Sequence, residues 1–181
     1  MHAHCANDLI SAKKNTPMSV DRCLRCRAET PSSAEDRIKY LRPSVSKDKA
    51  WAQQLMAQHY HLGEGGVEQS YEMAKRLYEL SAQKGDVLAM NNLGLLYENG
   101  LGVEKSLEHA IEWYKKAAKL NLAMAQFNLG YVYSSGKVRS IEDYLTAKEY
   151  FCDAAVQGHE GAAERLRVLK NANMIDSSVY V

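Results

Sequence analysis

An all-α fold, a right-handed α-solenoid of about three helix hairpins closed by a C-terminal capping helix, is predicted by three observations. Residues from 51 onward recur with a step of 36 or 37. Each copy carries two apolar stripes of helical spacing on either side of a glycine-bearing break. All three prolines (Pro17, Pro31, Pro43) precede position 50, whereas all eleven glycines lie between Gly63 and Gly161, so the two parts of the chain obey different rules.

The N-terminal part, residues 1–48, holds clusters such as Asn15-Thr16-Pro17 and Thr30-Pro31-Ser32-Ser33 and no sustained apolar period, so little burial is on offer against its ordering entropy. It is expected to be mostly disordered and mildly basic. A short helix from about Ala34 to Tyr40 is expected within it, capped by Ser33 and stopped by Pro43.

The repeat domain spans 49–170. Its copies run 49–85, 86–121 and 122–158. Tyr60, Tyr97 and Tyr133 keep the step, as do Gly63, Gly100 and Gly136, Ala74, Ala110 and Ala147, and Tyr78, Tyr114 and Phe151. The pairs Ser81-Ala82, Ala117-Ala118 and Ala154-Ala155 keep it too, followed by Gly85, Asn121 and Gly158.

In the second copy Ala89, Leu93, Leu96 and Tyr97 make one stripe, Asn99-Gly100-Leu101-Gly102 interrupts it, and Ala110, Trp113, Tyr114, Ala117 and Ala118 make the next. Ser70, Ser106 and Asp143 are placed to cap the second helices, and Asp86 to cap the helix that follows Gly85. Gly85, Asn121 and Gly158 are the residue types that enter the left-handed region at least cost, so they end those helices. Small residues (Ala89, Gly94, Ala110, Ala117, Ala118) let helices approach until Tyr97 and Tyr114 fill the gaps beside them. Residues 159–170 read as a capping helix with a charged outer face, and 171–181 as a loose tail.

Lys plus Arg number 23 and Asp plus Glu 22, a formal charge of +1, which disfavours nucleic acid and anionic membrane as partners. No apolar run reaches the roughly 18 residues of a membrane span, and Met1 to Asn15 lacks the apolar core of a secretion signal. An intracellular, cytoplasmic protein is expected. The histidines form no ligand set: His59 and His61 point in different directions on a helix, and His109 and His159 lack a carboxylate or Cys at ligand spacing. No Ser or Cys lies in a nucleophile motif, and the glycine loops lack the Lys-Ser/Thr ending of a phosphate loop. Neither catalysis nor a cofactor is expected.

Cys23 and Cys26 have the spacing of half a zinc site, for which Cys5, His2 and His4 are the candidate further donors, but no second close pair accompanies them, so the expectation is free thiols and no bound metal. Cys152, beside Phe151, is expected to be a small buried residue. Arg22, Arg25 and Arg27 make a solvated basic cluster.

At the recurring positions from 51 onward the chain resembles the Sel1-like repeat family, relatives of the tetratricopeptide repeats with a glycine-rich loop between the two helices. The second copy carries the pattern most fully, as Ala89, Asn92-Leu93-Gly94, Tyr97, Gly100-Leu101-Gly102-Val103, Ala110, Trp113-Tyr114 and Ala117-Ala118. The first copy has Met56-Ala57 where Leu-Gly is usual and one residue too many in Gly63-Glu64-Gly65-Gly66-Val67; the third, with Gly136-Lys137-Val138, lacks the second glycine. The resemblance covers residues 51–170 and implies a non-enzymatic adaptor that binds another protein or peptide.

In a stacked array the first helix of each hairpin lines the concave side. The residues opposite its small-residue stripe are Trp51, Gln54 and Gln58, then Leu88, Asn91, Leu95 and Glu98, then Met124, Phe127 and Tyr131. They are the predicted partner-binding set, although Leu88, Leu95 and Phe127 read equally well as core. The alternative function is a metal- or redox-responsive regulator acting through the Cys-containing N-terminal segment.

Overall fold

The structure, a computed structural model, describes residues 33–135 and 141–176. Within them lie eight α-helices: α1 (Ala34–Ser46), α2 (Ala50–Leu62), α3 (Tyr71–Ala82), α4 (Val87–Asn99), α5 (Leu107–Lys119), α6 (Ala123–Ser134), α7 (Ile141–Val156) and α8 (Glu160–Asp176). Two compact units divide at Leu77/Tyr78. The fold is all-α and built of sequential hairpins, as the periodicity predicts.

The first unit contains α1, α2, the loop after it and α3 as far as Leu77. Ser33 caps α1, its hydroxyl accepting from the Asp36 N–H at 3.0 Å, and Ile38 and Leu41 are buried. The helix runs past Tyr40 and past Pro43 to Ser46. Pro43 opens the last turn, where the absent N–H removes one bond, and its carbonyl still accepts from Lys47 N at 3.2 Å. The expectations for residues 1–32, including Cys5, Cys23 and Cys26, lie outside the described residues, as do 136–140 and 177–181.

The second unit repeats one core motif. Gly94 on α4 lies under the ring of Tyr114 on α5, where a Cβ would sit 2.9 Å from Cζ and closer to two other ring atoms. Gly130 on α6 lies likewise under Phe151 on α7, at 2.7 to 2.9 Å. Around the first ring cluster Ala110, Leu129 and Val132, and around the second Ala147, Ala154 and Ala162. Both rings are fully buried. The alternation of tiny and ring-bearing residues in the sequence is therefore a set of notches and plugs.

The turns that end α1, α3, α5 and α7 are the same turn. Asp48, Gly85, Asn121 and Gly158 have φ of 60°, 87°, 63° and 82°. Their N–H groups donate to Val45, Ala82, Ala118 and Ala155, and the next N–H of each donates to Ser44, Ser81, Ala117 and Ala154. Helix α1 therefore has the ending of a second helix, with its Ser33 cap standing 37 residues before Ser70, although its sequence lies outside the predicted repeats.

The loop inside a hairpin is also shared. Gly63 and Gly100 are left-handed, Glu64 and Leu101 N–H reach back to His59 and Leu96, and Ser70 and Ser106 N–H to Tyr60 and Tyr97. The extra residue of the first copy is taken up by Gly65 and Gly66, both at positive φ.

Three local expectations need correction. Asp143 does not precede its helix, because α7 begins at Ile141; it lies in the first turn, where a carboxylate favours the positive end of the helix dipole. Cys152 is exposed, since the residue next to a buried ring is turned about 100° round the helix from it. The capping helix continues beyond 170 to Asp176.

Candidate functional site

Helices α4, α6 and α8 are the first helices of successive hairpins in the second unit, and side chains connect them in one register. Asn128 Nδ2 donates to Asn91 Oδ1 at 3.0 Å, joining α6 to α4. The His159 ring, at the start of α8, stacks on Phe127 at 4.3 Å, and the Arg165 guanidinium lies 5.0 Å from the centre of the Tyr131 ring. Asn92, Asn128 and Arg165 are 36 and 37 residues apart. Each reaches a residue before its own helix, Asn92 bonding the hydroxyl of Tyr78. Burial pushes that hydroxyl's pKa up, and the Asn92 bond opposes the shift.

Exposure divides the predicted set. Gln58, Met124 (43%) and Tyr131 (42%) are exposed; Trp51, Leu88, Leu95, Glu98 and Phe127 are half-buried. Leu95 packs on the Tyr114 cluster and Phe127 on Phe151. Gln54 (6%) and Asn91 (2%) are buried, so Asn91 reaches this face only through Asn128. Glu98 accepts a 2.6 Å bond from the Tyr114 hydroxyl, and burial first, then this bond and the Glu98 charge, push that phenol's pKa far up. The two partners absent from the prediction, Asn128 and Arg165, belong to the same face. Their signal was the spacing from Asn92, which the family pattern contains.

Helix α6 carries no charged residue, and Met124, Phe127, Asn128 and Tyr131 follow one another at helical spacing along its outward side. The exposed members of this row, Met124 and Tyr131, are of the kind that contacts an apolar segment. Among the described residues no group of three or more His, Cys, Asp and Glu is placed to hold a metal, and no helix is long and apolar enough to cross a membrane.

The Sel1 repeat family model matches residues 52–86, 87–122 and 123–159. The chain belongs to the Sel1 repeat family. Among solved structures, a Sel1 repeat protein from Oxalobacter formigenes is 29% identical with a TM-score of 0.68, covering 91% of this chain and 57% of that one. The protein c5321, a protective antigen present in uropathogenic Escherichia coli strains and displaying an SLR fold, is 28% identical with a TM-score of 0.67, covering 74% of this chain and 28% of that one. This Sel1 chain thus spans less than two thirds of the length of either. No match was found among curated protein sequences.

Proposed function

We propose that this Sel1 repeat protein is a non-enzymatic scaffold that holds a partner peptide or protein on the outward faces of α4 and α6. Sel1 arrays are typically protein-interaction scaffolds. The observation that carries the reading is the row Met124, Phe127, Asn128 and Tyr131. Met124 and Tyr131 stay exposed there, with Phe127 and Asn128 half-buried between them, on a helix whose opposite side, with Ala125, Leu129 and Val132, is fully occupied by core. Exposed apolar surface at Met124 and Tyr131 costs solubility, which is the mark of a surface kept for association. Met124 and Tyr131 supply the contact area, Leu88 extends it on α4, and Asn128 places an amide among them.

The test is Met124→Glu with Tyr131→Glu in the full chain. Circular dichroism and melting are expected to stay near the parent values, because both side chains are exposed, while recovery of the parent's partners by affinity capture and mass spectrometry is expected to fail. Unchanged recovery would remove this face from the mechanism.

A further inference from the structure

The same face presents one charged group that the fold leaves over. Helix α6 has no charge, and the one charge on α4, Glu98, receives the Tyr114 hydroxyl. On α8 Glu164 pairs with Arg167 at 3.4 Å, and Glu160 lies in the first turn, more than one helical turn from Arg165. Arg165 itself is exposed, and among the described residues its one contact of charge is the Tyr131 ring at 5.0 Å. A ring under a guanidinium restrains it while leaving its in-plane N–H donors free, the arrangement that receives a carboxylate through two parallel bonds. One turn before Tyr131 on α6, Asn128 donates one N–H to Asn91, which leaves its carbonyl oxygen to accept from a peptide main chain.

We propose that the occupant of this face is an extended acidic peptide, with an apolar side chain on Met124 and Tyr131, its main chain at Asn128 and an Asp or Glu side chain on Arg165. The proposal rests on the scaffold reading above and adds the charge of the partner. The argument is complementarity: an apolar row bounded by one unneutralised cation selects a segment in which a carboxylate lies near an apolar anchor.

The experiment uses the full chain and an array of C-terminally tethered peptides of about ten residues. They share apolar anchors and differ at one position as Glu, Gln or Lys. The parent is expected to retain Glu peptides about tenfold better than their Gln counterparts, the effect of one charge-assisted pair, with the advantage shrinking as salt rises. Arg165→Gln should abolish the difference and Arg165→Glu should invert it in favour of Lys, both with parental circular dichroism.

A Glu preference that persists in Arg165→Glu overturns the proposal, and so does binding that needs a free C-terminal carboxylate in a parallel set of N-terminally tethered peptides. Apolar peptides that bind without regard to charge, and are lost on Tyr131→Glu, would end the acidic pairing and leave the scaffold reading standing. No binding to any peptide of the array would end the acidic-peptide proposal, while the scaffold reading falls only if affinity capture with the Met124→Glu, Tyr131→Glu variant is unchanged.

Discussion

At the residue scale the fold turns on two glycines. Replacing Gly94 with Ala would add about 1 kcal/mol of helix propensity in an exposed helix. Here the new methyl would overlap the Tyr114 ring, which is fully buried and tied by its hydroxyl to Glu98. Overpacking of this kind costs about 1–3 kcal/mol, so the steric cost is expected to win. Gly94→Ala and Gly130→Ala should both lower the urea midpoint, and a rise in either would show that the rings are free to move. Titration works at the same scale in the first unit. Burial and the charge of Arg37 hold His59 below its usual 6.5 against the opposing effect of Glu64, and burial alone lowers His61. Below 6.5 the unfolded chain takes up protons that the folded chain refuses. The contribution is therefore fully present above 6.5 and is lost as pH falls through the lowered folded values. The urea midpoint should drop between about pH 7.5 and about pH 5.5, and the double variant His59→Gln with His61→Gln should flatten that dependence.

At the scale of elements, the four equivalent turns differ in a way that their partners follow. Asp48 and Asn121 stand in the left-handed region where Gly85 and Gly158 stand in the other copies. Five residues after each, Gln53 donates to Asp48 at 2.7 Å and Gln126 to Asn121 at 3.3 Å, both glutamines being buried. After Gly85 the equivalent residue is Met90, also buried, so an acceptor in the turn goes with a glutamine and its absence with an apolar side chain. Gly at 121 would relieve backbone strain of about 1 kcal/mol. It would also remove the oxygen that receives Gln126 and Gln157, and a buried polar group that loses its partner costs about 1–3 kcal/mol. Asn121→Gly is thus expected to destabilise, and adding Gln126→Met should recover the loss; a double variant no better than the single one would refute the pairing. The turn residues, hairpins and loop glycines were legible because backbone sterics admit few side chains at positive φ. Helix α1 was legible in its start and its Ser33 cap but not in its length or its kinship with the repeats, because Arg37 and Leu41 stand where the repeats place an alanine and a ring, and Pro43 read as a stop. Only the 37-residue steps from Ser33 to Ser70 and from Asp48 to Gly85 marked that kinship. The outward face was legible in part: on α6, apolar on nearly every side, spacing alone cannot tell Gln126 and Leu129 inside from Met124 and Tyr131 outside.

At the scale of the second unit, stability should be graded along the chain rather than uniform, because each hairpin packs on its neighbours in sequence. The Tyr114 cluster takes Leu129 and Val132 from α6, while the Phe151 cluster takes Ala162 from α8; only partly buried residues such as Tyr133 border both. A disturbance at Phe151 therefore reaches α7 and α8 directly, reaches α5 through the far side of α6, and reaches α4 last. Gly130→Val provides such a disturbance, since its methyls would occupy the space of the Phe151 ring. Hydrogen exchange read by mass spectrometry is the suitable measurement, as it resolves local opening from global unfolding. Protection should fall most in α6, α7 and α8, less in α5, and least in α4, whose Leu93 and Leu96 are fully buried and whose Gly94 notch is untouched. An equal fall over all five helices would mean that the unit opens as one block, and that the two ring clusters, although separate in their buried residues, act as a single core.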